Sequence, residues 1–241
     1  MKKLSIVLVL FLSFKGYTQQ LTGEELLERA IKFHDPNNNW PTFNGTLYVT
    51  METPKSSPRK SKIIIDLPKE YFRVRAKRDS ISNIYELDKS KCNTRTIGLE
   101  YKKKLTKEEW KKKMDDDCKK AHLYKNYYTY LYGLPMKLKD EGTVIHQKVA
   151  RKNFKGKEYL VLKVTYKKEV GKDTWYFYFD PTMYAMEVYQ FFKDESKNDG
   201  EYILLSELET INDIKMPKIR AWYYNKNDGY LGTDILASTK K

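Results

Sequence analysis

The sequence is poor in the residues from which most active sites and metal centres are assembled. It has three histidines, His34, His122 and His146, and two cysteines, Cys92 and Cys118. The histidines lie far apart without metal-ligand spacing, so no metal site is expected. No Gly-x-Ser-x-Gly elbow, phosphate-cradling Gly loop or His-Glu-x-x-His is present, so neither catalytic residues nor cofactors are expected. Paired acids such as Glu108-Glu109 fall at a predicted helix start, where they answer the helix dipole. The adjacent pair His34-Asp35 invites a base-and-carboxylate reading, but neighbours on a helix point in different directions. A histidine closing a helix C-terminus, where its cationic form is favoured, fits better. Arginine is scarce too. Most of the 46 basic residues are lysines, scattered with acids between them, whereas bidentate phosphate recognition favours arginine. The net charge of +14 therefore reads as solvated lysine, and no nucleic-acid partner is expected.

Long apolar runs are also missing. A membrane-spanning helix needs about 20 such residues, and the longest stretch, Leu4 to Phe14, is far shorter. Lys2 and Lys3 precede it and Lys15-Gly16-Tyr17-Thr18-Gln19-Gln20 follows, the pattern of a secretory signal peptide. Residues 1–19 are expected to be removed, with cleavage near Thr18 or Gln19, and no cysteine follows the apolar run to carry a lipid. The product is expected to be periplasmic or secreted. An even pair of cysteines in an exported chain reads as one disulfide, Cys92–Cys118.

Aromatic residues, by contrast, are abundant, with 20 Tyr, 10 Phe and 4 Trp. The densest run is Trp175-Tyr-Phe-Tyr-Phe-Asp-Pro-Thr-Met-Tyr-Ala-Met-Glu-Val-Tyr-Gln-Phe-Phe192. Its first half alternates Trp175, Phe177 and Phe179 with Tyr176 and Tyr178, the period of two that sends the sets to opposite faces of a strand. Asp180-Pro181-Thr182 breaks the run, since Asp readily starts a turn and Pro has no N–H. The stretch is a hairpin with two water-shedding faces: one suits the core, and the other wants a cover or a ligand. The alternation does not say which set faces inward, because a one-residue slip inverts it.

Short alternating segments occupy most of the remaining chain: Phe43 to Met51, Lys62 to Ile65, Tyr71 to Arg75, Ile81 to Leu87, Cys92 to Ile97, Thr143 to Arg151, Tyr159 to Tyr166, Tyr202 to Leu205, Pro217 to Tyr224 and Tyr230 to Leu236. Turn residues separate them, as in an antiparallel meander. Two capping boxes mark helices. Thr22-Gly23-Glu24-Glu25 precedes the stripe Leu26, Leu27, Ala30 and Ile31, and Thr106-x-x-Glu109 precedes Trp110, Met114, Cys118 and Ala121. A Tyr-rich segment follows, with Leu123, Tyr127, Tyr130, Leu131 and Leu134 on one face, Gly133 as a C-cap and Pro135 as a stop. The acids Asp115 to Asp117 read as solvated mid-helix charges. One domain over residues 20–241 is expected, with a helical insertion at about 105–135.

Four stretches, His34-Asp35-Pro36…Trp40, Tyr124 to Met136, Trp175 to Pro181 and Arg220-Ala-Trp-Tyr-Tyr224, resemble a family of exported Bacteroidota proteins of unknown function. More loosely, the order of helix, meander, helical insertion and strand ending in Asp-Pro is similar to the periplasmic lipoprotein-carrier and outer-membrane lipoprotein-receptor superfamily. That resemblance implies an α+β fold, a strongly curved antiparallel half-barrel with helices on its concave side and an apolar cavity for acyl chains. With the two-sided hairpin and the Tyr-rich helix, it leads to an expected ligand lining of Tyr127, Tyr130, Leu131, Trp175, Phe177, Met186 and Trp222. The expected partner is a lipid, acyl chain or lipoprotein anchor, with peripheral membrane contact through rim lysines. The alternative is a structural or envelope-protein-binding module whose barrel is filled by its own aromatics.

Overall fold

Period-two apolar patterning and turn residues at regular spacing produce one antiparallel sheet of 13 strands. The computed structural model describes residues 21–98 and 105–239, so the signal-peptide stretch lies outside the described residues. Five strands come before the helical insertion: β1 (Asn44–Thr53), β2 (Ser56–Asp66), β3 (Tyr71–Arg78), β4 (Ile81–Asp88) and β5 (Lys91–Ile97). After it come β6 (Thr143–Ile145), β7 (Ala150–Phe154), β8 (Lys157–Tyr166), β9 (Thr174–Phe179), β10 (Met186–Phe192), β11 (Glu201–Ile211), β12 (Ile214–Tyr224) and β13 (Tyr230–Ala237). The strand order is β5-β4-β3-β2-β1-β13-β12-β11-β10-β9-β8-β6, with β7 also paired to β8. The first and last strands therefore meet in the middle, and each half of the chain meanders outward from that seam. Register shifts in β1–β2, β9–β10 and β12–β13 mark bulges, which bend and twist the sheet. It is an open half-barrel with the helices on its concave face.

The strand-forming stretch from Thr143 to Arg151 supplies β6 and the start of β7, which pair with different parts of β8. The Trp175–Phe192 hairpin forms as patterned. Asp180 accepts from the backbone N–H groups of Thr182 (2.9 Å) and Met183 (2.8 Å), and Lys157 Nζ pairs with its other oxygen at 2.9 Å. The bond from Lys157, then these backbone bonds, hold the Asp180 pKa down to about 2. Both hairpin faces shed water. Phe177 and Phe179 join the main core, whereas Tyr178 joins a smaller outer cluster of Tyr159, Val161 and Val188. Phe154 of β7 packs on Tyr178 at a centroid distance of 5.1 Å, so the outer face is covered from within the chain.

Both capping boxes form, with Thr22–Glu25 opening α1 (Gly23–His34) and Thr106–Glu109 opening α2 (Lys107–Gly133). The helix α2 runs unbroken for 27 residues, joining the two helical segments of the sequence. Its buried row is the expected one only in part: Ala121, Leu131 and Leu134 are buried as expected, but Trp110, Met114 and Leu123 are exposed, and Asp117, Tyr128 and Tyr132 are buried in addition. Lys113 and Lys120 bridge Asp117, which makes its burial affordable. Cys118 is joined to Cys92 of β5, with a Cα–Cα distance of 6.0 Å, and so holds the first half of α2 to the sheet. Leu134 takes the extended conformation (φ −69°, ψ 141°) that a following proline imposes, and α2 ends there. Gly133 acts through close approach rather than as a left-handed cap, since a Cβ there would lie 2.3 Å from Trp40.

Gly133→Ala is expected to force Trp40 or the end of α2 aside and to destabilise the protein by about 1–3 kcal/mol in urea unfolding. An unchanged midpoint would show that this junction is loosely packed.

Candidate functional site

The last four turns of α2 cross the concave face near the seam and carry a different aromatic row on each flank. Tyr124, Tyr128 and Tyr132 recur at i, i+4, i+8 and face one way. Tyr124 lies 5.2 Å from Tyr85 and 6.0 Å from Tyr128, which stacks 6.5 Å from Phe72. Tyr127 and Tyr130 face the C-terminal strands. Tyr127 stacks 6.3 Å from Trp222, Tyr130 meets Trp175 edge-on at 5.8 Å, and Trp175 stacks 4.9 Å from Phe191. Tyr127, Tyr130, Trp175, Phe191 and Trp222 are all half-buried. They form an aromatic strip between α2 and the strands β9, β10 and β12. At one end it opens into a recess of about 170 Å³ lined by Met51, Tyr127, Glu201, Trp222, Leu231 and Asp234.

Beneath the strip lies a buried polar group at the seam. Arg220 and Asp234 sit directly opposite each other on β12 and β13 and are 1% and 2% exposed. Arg220 donates to the Pro217 carbonyl at 2.6 Å and the Leu131 carbonyl at 3.5 Å, and its guanidinium lies 3.9 Å from the Tyr132 ring centroid. Asp234 accepts from the Tyr127 hydroxyl at 3.2 Å. The Trp222 indole N–H faces Asp234 and favours its charge, but falls short of a full hydrogen bond. Burial raises the Asp234 pKa, and Arg220 and Arg59 oppose the rise. Burial likewise pushes Tyr127, Tyr130 and Tyr132 well above the ordinary tyrosine range, so their hydroxyls remain neutral. The Tyr130 hydroxyl is bonded to that of Tyr166.

Of the seven residues expected to line a ligand site, four meet in the strip: Tyr127, Tyr130, Trp175 and Trp222. Leu131, Phe177 and Met186 are closed off in the core, at 4%, 0% and 3% exposure. Sequence reasoning missed Tyr128, Tyr132 and Tyr189, all fully buried. The i, i+4 spacing of Tyr124, Tyr128 and Tyr132 was the available signal. Arg220 and Asp234 left none, since their pairing depends on strand register.

His34 is not the cationic helix terminus expected. It is fully buried, its Nδ1 hydrogen-bonds the Lys215 carbonyl at 2.6 Å, and its Nε2 accepts from the Met186 N–H at 2.9 Å. Burial outweighs the Lys215 carbonyl and holds the pKa at about 4, so the ring is neutral at pH 7. The neighbouring Asp35 accepts from the N–H groups of Asn39 and Trp40, each at 2.8 Å. His34 and Asp35 thus bind backbone around α1, β10 and β12 and do not form a dyad. Among the described residues no cluster of His, Cys, Asp and Glu is placed to hold a metal, and no helix is long and apolar enough to cross a membrane.

The fold defines a class, the open antiparallel half-barrels with helices on the concave side. The chain belongs to the family of unknown function DUF6503, whose model matches residues 2–238. No curated protein matches the sequence. Similar solved structures include a LolA superfamily protein from Nitrosomonas europaea, with 9% identity, TM-score 0.48 and coverage of 92% of this chain and 94% of that one. A domain from Vibrio parahaemolyticus described as an outer membrane lipoprotein-sorting protein has 10% identity, TM-score 0.47 and coverage of 89% and 91%. A DUF1329 family protein from Desulfovibrio piger has 9% identity, TM-score 0.46 and coverage of 89% and 90%.

Arg220→Met removes the larger of the two cationic influences that favour the buried Asp234 carboxylate, leaving it Arg59 and the Tyr127 hydroxyl, and is expected to cost about 1–3 kcal/mol. The double variant Arg220→Met/Asp234→Leu should recover much of that loss in a double-mutant cycle. For His34, the unfolded chain binds the extra proton between pH 6.5, its ordinary value, and about 4, its folded value. Its contribution is therefore fully present above pH 6.5 and is lost as pH falls toward 4, by about 3 kcal/mol in all. His34→Gln should flatten urea-unfolding free energy against pH in that window.

Proposed function

We propose that this protein is a non-catalytic binding protein of the cell envelope, and that it holds a single acyl chain, of a lipid or a lipoprotein anchor, along the aromatic strip. The observation that carries this reading is the run of half-buried rings, Tyr127, Tyr130, Trp175, Phe191 and Trp222, ending in the recess of about 170 Å³. Aromatics left only half-buried in a contiguous array suit a binding surface, because each ring still has apolar area to remove from water. Each methylene covered contributes about 0.8 kcal/mol, so several along the strip would offset the cost of association. The recess is smaller than the roughly 300–1,000 Å³ of an enclosing ligand pocket. The chain would therefore lie in the groove with only its end inserted. The Cys92–Cys118 bond supports an oxidising compartment, in keeping with export and a periplasmic or secreted location. The engagement of both His34 nitrogens by backbone supports the non-catalytic part of the reading.

A second reading, an interaction module with a self-filled barrel, is favoured by a separate observation. Tyr128, Leu131, Tyr132 and Arg220 already occupy the space beneath α2, each at 4% exposure or less. Its partner would be another envelope protein.

Native mass spectrometry and lipid extraction of protein purified from the envelope separate the two. Co-purifying lipid is expected, with saturable uptake of a fluorescent fatty acid that falls at least several-fold in Trp222→Ala and Tyr127→Ala while the melting transition is retained. Consistently empty protein without uptake would sink the acyl reading in favour of the second.

A further inference from the structure

The outer face of the sheet, opposite the helices, carries a groove of about 610 Å³ across β3, β2, β1 and β13. Its walls include Lys60, Lys62, Arg75, Lys77 and Lys218, its floor includes Tyr48, Ile235 and Ala237, and no acidic side chain lines it among the described residues. The register makes the arrangement costly. Lys60 lies directly opposite Lys77, and Lys62 directly opposite Arg75, and like charges placed this way repel. The neighbours that complete the two rows are uncharged: Thr50 and Tyr48 on β1, and Ser82 and Ile84 on β4. Along the strands, Glu52 and Glu86 lie one row outward from the two cation rows, and Glu86 is taken by Arg73 and Tyr71. Lys218 is paired with Glu207. Lys60, Lys62, Arg75 and Lys77 make no ion pair among the described residues; Lys62 lies 6.0 Å from the Tyr48 ring centroid. Some lysines elsewhere, such as Lys139, Lys157 and Lys163, lie against carboxylates; what sets these four cations apart is that they stand in two directly opposed pairs.

We infer that this groove is a docking surface for an anionic bilayer, with lipid phosphates lying between the opposed cations. Charge complementarity supplies the attraction. The apolar floor accounts for the groove's second character, because the first acyl carbons beneath a headgroup need an apolar contact that a soluble anion does not. The surface lies on the face opposite the aromatic strip, so the inference stands independently of acyl binding there.

The test is co-sedimentation of the purified native protein with vesicles of phosphatidylcholine alone and of phosphatidylcholine mixed with phosphatidylglycerol, at low and high salt. Binding is expected only with phosphatidylglycerol, falling with salt. Each charge removed should weaken it about fivefold, so that Lys60→Gln/Lys77→Gln and Lys62→Gln/Arg75→Gln each lose roughly 25-fold. The melting temperature of both variants should be unchanged or raised, since a repulsion has been removed. Lys172→Gln/Lys226→Gln, at exposed sites elsewhere, and Trp222→Ala should bind vesicles as the native protein does. Equal binding to both vesicle types, no binding to either, full binding by the charge variants, or loss in Trp222→Ala would overturn the inference. So would charge-dependent binding of a single-stranded DNA or an acidic protein in place of vesicles.

Discussion

The antiparallel pairing of β1 with β13 is the contact on which the rest depends. Five residue pairs, from Tyr48–Ala237 to Glu52–Thr233, join the two ends of the chain's strand sequence. Without them the N-terminal meander and the C-terminal strands would be two smaller sheets, each with another edge open to aberrant pairing. With them there is one wide sheet, and its curvature forms a concave face across the seam. The cost is a long loop closure, because the paired strands come from opposite ends of the strand sequence.

What fills the concave face follows from that seam. Leucine alone would not serve, since the space beneath α2 holds Arg220 and Asp234 from β12 and β13, and a buried charge without partners is expensive. Tyrosine brings both a large ring and a hydroxyl. Tyr127 bonds Asp234, and Tyr132 covers the Arg220 guanidinium. The tyrosine content of α2 is thus matched to a polar group inside an apolar shell. The ring positions left over, Tyr127 and Tyr130 against Trp222 and Trp175, become the half-buried strip. The same sheet presents a different chemistry on its outer face, where side-chain alternation sends lysines and an arginine outward from strands whose inward residues are apolar.

Local chemistry was legible wherever it depends on residues close in sequence. Both capping boxes, the Asp180 turn and the two-faced hairpin are of this kind; the Cys92–Cys118 bond, 26 residues apart, was legible for another reason, since the sequence has only these two cysteines. The misread positions depend on contacts from afar. His34 is held neutral by backbone of β10 and β12, which no helix-end rule contains. Of the stripe Trp110, Met114, Cys118 and Ala121, only the second half packs closely on the sheet, joined there by Asp117, while Trp110 and Met114 stay exposed. Of the expected lining residues, the aromatic character of Trp175 and Trp222 was readable, while the full burial of Phe177 and Met186 was set by packing.

The sequence by itself determined the alternation that makes strands, the caps that start helices, and an aromatic excess too large for one face of one hairpin. Those are consequences of side-chain geometry within a few residues. Only the tertiary structure decided that the first and last strands meet, that Tyr128 and Tyr132 rather than Trp110 and Met114 are buried, and that Lys60, Lys62, Arg75 and Lys77 stand in opposed pairs. Strand register and helix placement govern these, and both are settled by contacts between residues far apart in the chain, where burial and charge are balanced over the whole sheet.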